Sequence, residues 1–220
     1  PPPAPPRAQA NVCGPPTSAD DRVLDGVAVA DPGEDSARLM CLVYTHEANH
    51  GLAKAAAGSW GRRCDGLAVF SDAAGEIEGQ ALFQVPAEAA GYEGVWRKVW
   101  FAWQFAQTAT WFAEWFALSA DDTYWIVENL RLLLRCQRIR ALHTEGRPVY
   151  LGRSMWAEDH GAVFHQGAGY VLNRAAVAEL MRCPRPIVAA DTSAEDMQVA
   201  RCLRARGVPP LDARGCPSDQ

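Results

Sequence analysis

No apolar run in this chain approaches the roughly 18 to 20 residues needed to cross a bilayer, and no charged n-region leading into an apolar core opens it. Lys and Arg are nowhere clustered with interleaved aromatics. The 21 basic residues are scattered against 26 acidic ones for a net charge of −5, so the footprint of a nucleic-acid binder is absent. The seven cysteines contain no C-x-x-C spacing, which argues against a zinc site, and that number suits an oxidising compartment better than the cytosol. Gly167-Ala168-Gly169 falls short of a phosphate-binding fingerprint because it neither follows a first strand nor opens a long helix. Its reading is steric: small residues that allow a close backbone approach to a ligand or a neighbouring strand, or a simple turn. No internal repeat is visible.

What remains is a chain of 220 residues, 49% hydrophobic, enough for one medium-sized domain with a sizeable core. Residues 1–20 are rich in Pro and Ala and read as a disordered stem or linker, polyproline-like in conformation. Residues 21–220 form the expected domain. The chain opens on Pro1 and not on Met, so we expect it to begin inside a longer product that carries an anchor or signal.

Periodicity along that domain alternates between strand and helix. Ala37 to Tyr44 and Gly66 to Phe70 are continuous apolar runs suited to buried parallel strands, with a helix over Leu52 to Trp60 between them. An aromatic-rich helix over Trp96 to Trp111 precedes a strand at Trp115 to Leu118. Tyr124 to Cys136 has helical spacing, and short strands are expected at 148–152 and 169–172. Helices over Arg174 to Met181 and Glu195 to Arg206 complete the pattern. Repeated βα alternation predicts an α/β fold: an open, mostly parallel sheet with helices on both faces.

The chemistry-bearing residues lie where the strands end. Asp121-Asp122 follows the strand at Trp115, a position at which paired carboxylates can grip a divalent cation and the phosphates it carries. Thr45, His46, Asn49 and His50 follow the first strand and offer donors and acceptors to a nucleotide. His46 and His50 also have the spacing of a metal pair, but no third ligand is near in sequence and a surface loop accepts histidines freely. Glu195-Asp196 opens the last helix. From the residues alone, Asp122 and the 195–196 pair serve equally as helix caps and first-turn charges. Most of the eight tryptophans belong to the core, Trp100, Trp103, Trp111 and Trp115 among them, leaving Trp125 and Trp156 for exposed contacts.

Five blocks in order resemble the inverting β1,3-glycosyltransferases, a fringe-like group, and within it the core 1 β1,3-galactosyltransferase branch. They are Met40 to His46 with Asn49-His50, Trp60 to Cys64, Trp96-Arg97-Lys98, Trp115 through Asp121-Asp122-Thr123-Tyr124 to Leu130, and Gly167 to Leu172 with Ser193 to Asp196 and Arg201-Cys202. The resemblance implies a nucleotide-sugar-binding fold of glycosyltransferase-A type. It also implies transfer of galactose from UDP-galactose to the 3-hydroxyl of O-linked GalNAc on a glycoprotein, with manganese as the cation. By the same resemblance Asp122 ligates the metal, Thr45, Asn49, Lys98 and Asp121 contact the donor, and Asp196 is the catalytic base beside Glu195. Among the remaining histidines, which have weaker claims, His165 is a candidate to face the acceptor from its place just before the glycine block. Disulfides Cys41–Cys64 and Cys183–Cys202 are implied too, with Cys136 a buried thiol on a helix. The setting would be the Golgi or secretory lumen, with a missing N-terminal anchor and a homodimer as further expectations.

Two departures qualify this expectation. The family carries three consecutive aspartates where this chain reads Ala120-Asp121-Asp122, and it continues past the equivalent of Gln220 through a metal-ligating histidine, so the domain is expected to be truncated. Both departures favour an alternative: a catalytically inactive relative acting as a chaperone or binding partner of an active galactosyltransferase.

Overall fold

Strands β1 (Leu39–Tyr44), β2 (Gly66–Ser71) and β6 (Trp115–Ala120) lie side by side as parallel neighbours at the centre of a seven-stranded sheet. The structure, a computed structural model, describes residues 37–77, 80–86, 90–91, 94–109, 113–157, 162–184 and 194–212; the stem expected over 1–20 and the domain's expected start near residue 21 lie outside them. The central strands read as unbroken apolar runs because both faces are covered. In β1, Met40 and Leu42 join one core while Leu39, Cys41 and Val43 join the other; in β6, Phe116 and Leu118 oppose Trp115 and Ala117 in the same way.

Each core is closed by its own helices. The first is covered by α2 (Val95–Ala109), α5 (Arg174–Leu180) and α6 (Glu195–Ala205), the second by α1 (His50–Gly58), α3 (Val127–Arg135) and α4 (Gln137–Thr144). Helix α2 buries Val95, Trp96, Val99, Trp100, Ala102, Trp103 and Ala106, a stripe at helical spacing that places three indoles against the sheet. Helix α3 presents Val127, Leu130 and Leu134 inward. The expected α/β architecture with helices on both faces is therefore the one observed. Trp100, Trp103 and Trp115 are buried as expected, and Trp111 falls outside the described residues. No helix among the described residues is long and apolar enough to cross a membrane.

Several elements differ from expectation. Strands β7 (Tyr150–Ala157) and β8 (Ala162–Asn173) form an antiparallel pair, and β8 also runs antiparallel to β6, where the alternation pattern implied further parallel strands. Only residues 158–161 separate the two, too few for a crossover, so antiparallel pairing is forced. Three two-residue strands, β3 (Glu76–Ile77), β4 (Gln80–Ala81) and β5 (Phe83–Gln84), follow β2, and β9 (Leu211–Asp212) ends the sheet beside β7. The full order is β5-β2-β1-β6-β8-β7-β9, with four of its six pairings parallel. Helix α4 was not apparent in the sequence, because it buries Ile139 alone.

Two disulfides match the expected pairs, Cys41–Cys64 and Cys183–Cys202. The first ties β1 to the turn preceding β2. The second joins the end of α5 to α6 across a separation of 19 residues. Cys136 departs from expectation: it is disulfide-bonded and half-buried at the junction of α3 and α4, not a free thiol.

Candidate functional site

The strand order reverses between β1 and β6: β2 and β5 extend the sheet to one side of β1, and β6 opens the other. Connections leave such a pair in opposite directions, so the loops at their carboxyl ends part and leave a crevice. Here Tyr44 and Ala120 are register partners, which puts the loop beginning at Thr45 beside the loop beginning at Asp121. A cleft of about 640 Å³ occupies the gap. It is lined by Thr45, Asn49, Lys98, Asp121, Asp122, Glu195 and Asp196, so the seven residues expected to serve metal, donor and catalysis reach one cavity.

The β1 and β6 loops are tied together by hydrogen bonds. Asp121 is buried and accepts from the Thr45 hydroxyl (2.5 Å) and the Asn49 amide (3.4 Å). Lys98 is 2% exposed and donates to the Thr45 carbonyl (2.6 Å), with its ammonium 3.7 Å from Asp72. Burial pulls the Lys98 pKa down, and the charges of Asp72 and Asp121 oppose that pull. Asp72, which directly follows β2, accepts the backbone N–H groups of Glu47 (3.0 Å) and Gly91 (3.3 Å). Burial pushes its carboxyl up, but those bonds and Lys98 outweigh it, and its pKa lies below the ordinary value. Asp72 escaped the sequence analysis, although a carboxylate one residue past a parallel strand was the same signal that drew attention to Asp121.

The first turn of α6 adds Glu195 and Asp196 to the lining of the cleft. Glu195 is buried and accepts from the hydroxyls of Tyr170 on β8 (2.9 Å) and Tyr44 on β1 (3.5 Å). Burial, reinforced by the charge of Asp196, pushes its pKa up to about 8 against the lowering effect of the two tyrosines. Asp196 is half-buried, and burial raises its pKa too, opposed by the Met197 N–H that its Oδ1 accepts (2.8 Å). Asp122 is exposed.

Of the other expected contacts, only His46 reaches the cleft among the described residues. His165 does not face the cleft: it is fully buried, 4.4 Å edge-on to the Tyr150 ring, and burial pulls its pKa down to about 4. His46 lines the cleft, whereas His50 is hydrogen-bonded to Ser71 (2.7 Å), so the two do not act as a pair. Trp125 is half-buried, its indole N–H donating to Ser119 (3.0 Å), which makes it a support for the β6 loop and not an exposed platform. The side chain of Trp156 and all of Ser193 lie outside the described residues. Gly169 has φ +86°, and a Cβ there would lie 2.3 Å from the Leu118 carbonyl oxygen, so the glycine serves close approach between β8 and β6.

The chain is 34% identical over 102 residues to glycoprotein-N-acetylgalactosamine 3-beta-galactosyltransferase 1 of Xenopus laevis. That similarity covers 46% of this chain and 27% of the relative. No protein-family model matches the chain.

The electrostatics of the cleft limit what can enter it. Five carboxyl groups line it (Asp72, Asp121, Asp122, Glu195 and Asp196) against a single ammonium, Lys98, which is already engaged. An anionic ligand would be repelled unless a cation accompanied it. The donors are hard oxygens, the type favoured by magnesium and manganese. Among the described residues no three His, Cys, Asp or Glu side chains are grouped to hold a metal ion by themselves. Such a donor set fits a cation shared between one or two carboxylates and the phosphates of a substrate, not a caged structural ion.

Proposed function

We propose that this protein transfers galactose from UDP-galactose to the 3-hydroxyl of O-linked GalNAc on a glycoprotein, inverting the anomeric centre. The observation that carries the reading is a carboxylate-lined cleft at the switch point of the sheet, in a chain similar over part of its length to a galactosyltransferase of that class. Asp122, the exposed carboxylate at the end of β6, would hold the divalent cation together with the diphosphate. Bound there, the cation supplies neutralisation of charge on the departing nucleotide.

The chain's own residues account for the rest. Asp121 is fixed by Thr45 and Asn49 and shapes the donor side of the cleft, with Lys98 holding the Thr45 carbonyl from below. Asp196 lines the cleft from the first turn of α6 and takes the proton of the acceptor hydroxyl as the new bond to the anomeric carbon forms and the bond to the diphosphate oxygen breaks. Its pKa, raised by burial, makes it a better base than an ordinary aspartate. The transfer fits a secretory-pathway lumen, in keeping with the disulfides.

Thermal unfolding tests the donor site directly. The UDP–manganese complex at about 100 times its dissociation constant should stabilise the folded chain by about 2.7 kcal/mol, and neither UDP nor manganese alone should do so. Asp122→Ala should remove that shift while leaving the unliganded midpoint close to wild type, because Asp122 is exposed. A well-folded protein that shows no shift with both ligands would favour the non-catalytic relative instead.

A further inference from the structure

Helix α6 begins without the usual local support. Its N-cap position is Ala194, which has no side chain able to accept from the first turn, and the backbone there is at φ −86°, ψ 66°. What anchors the turn is tertiary: the Glu195 carboxyl, with one oxygen bonded to Tyr170 and the other to Tyr44. Tyr170 is itself held, accepting from the Trp103 indole N–H (3.3 Å) on α2 and lying edge-on to Tyr150 at 5.5 Å. A chain of contacts therefore runs from α2 through β8 to the first residue of α6, and a second reaches it from β1.

We propose that Glu195 is a positioning residue whose carboxyl, latched between the Tyr170 and Tyr44 hydroxyls, fixes the first turn of α6 so that Asp196 faces the cleft, and that it takes no part in proton transfer itself. The assignment rests on the transferase reading above for its kinetic arm only. Glu195 is buried with both of its oxygens held by tyrosine hydroxyls, whereas Asp196 is half-buried and its Oδ1 accepts the N–H of the next residue. Adjacent residues in a helical turn point about 100° apart, so locking one side chain sets the direction of its neighbour.

The groups facing Glu195 are Tyr44 from β1, Tyr170 from β8 and Asp196 from α6, with Tyr150 of β7 behind Tyr170. Arg204 of α6 acts on Tyr150, and Asp122 of the β6 loop acts on Tyr44. None of the three immediate neighbours is a cation, so the latch works with a neutral carboxyl at neutral pH. The folded chain holds that proton more tightly than the unfolded one. Stability from this group is then fullest below about pH 4.5 and falls as pH rises towards 8.

The decisive comparison is Glu195→Gln against Glu195→Ala, with Asp196→Asn alongside. Gln keeps an oxygen for Tyr170 and an amide for Tyr44, so it should retain kcat and folding midpoint and lose the decline in stability between pH 4.5 and 8. Ala should lower kcat on the order of 100-fold with KM for the donor unchanged, as expected when a reacting group is misplaced, and should lower the midpoint. Glu195→Gln as inactive as Asp196→Asn would overturn the proposal by making Glu195 a proton carrier. Glu195→Ala as stable and active as wild type would overturn it by removing the latch. If wild-type protein transfers no galactose, the functional reading fails, and the folding midpoint and its pH slope still decide the latch.

Discussion

Asp196→Asn is expected to lower the rate of transfer by about 100- to 10,000-fold while leaving manganese-dependent UDP affinity within a few-fold of wild type. The substitution is nearly isosteric, and the amide oxygen can still accept the Met197 N–H that now goes to Oδ1, so the first turn of α6 keeps its shape. Only the ability to accept a proton is lost. Asp196 lies in the first turn of α6 and Asp122 in the loop after β6, so the substitution changes no residue of the proposed metal-binding loop. Measuring kcat with UDP-galactose and a GalNAc-bearing peptide, together with UDP binding by calorimetry, separates the two effects. Wild-type kcat in Asp196→Asn would transfer the role of base to another group, and parallel loss of affinity and rate would mean that Asp196 helps hold the donor.

The same substitution should also change the group beside it. Asp196's charge is the second cause, after burial, of the raised Glu195 pKa, so Asn at 196 should bring that pKa down. The decline in stability towards pH 8 should then begin to level at lower pH than in the wild type. Following the folding midpoint of both proteins from pH 5 to 9 is enough to see this.

Why these residues were visible in the sequence and others were not follows from the range of the interactions that place them. The strands β1, β2 and β6 are legible because a parallel strand covered on both faces must be apolar throughout, and helix α2 because seven buried positions repeat at its period. From those two facts the carboxyl ends of β1 and β6 are known to be sites where loops part, and Thr45, Asn49, Asp121 and Asp122 are found there. Lys98 was promoted from a helix face by resemblance alone; what holds it is the carbonyl of Thr45, 53 residues away, for which no local pattern exists. The tyrosines that hold Glu195 lie 25 and 151 residues from it, so no local pattern reveals its partners, and only the resemblance sets Asp196 apart from Glu195. The β7–β8 pair was misread because a short apolar run carries no mark of direction. Its antiparallel sense is set by the few residues between the strands.

Gly169→Ala is the substitution outside the cleft from which the largest effect is expected. Its φ of +86° costs a side chain roughly 1 to 2 kcal/mol. The added methyl would lie 2.3 Å from the Leu118 carbonyl oxygen and 2.8 Å from both Ser119 Cβ and Trp125 Cζ2. Two of those neighbours belong to the central strand β6 and cannot turn aside, so overpacking adds about 1 to 3 kcal/mol. A combined loss of about 2 to 5 kcal/mol should lower the midpoint by several degrees or more, at about 2 to 4 °C per kcal/mol for a domain of this size. Gly207→Ala supplies the control. Its φ is +77°, yet nothing lies within 4 Å of the added carbon, so it carries the backbone cost alone. The difference between the two variants isolates the close approach of β8 to β6. Because Leu118 and Ser119 lead directly to Asp121 and Asp122, and Ser119 also anchors Trp125, Gly169→Ala should weaken manganese-dependent UDP binding at temperatures where the protein is still folded. Gly207→Ala should leave it unchanged. Equal midpoints and equal UDP affinities for the two would show that β6 can yield to the methyl group and that the glycine does not position the aspartates.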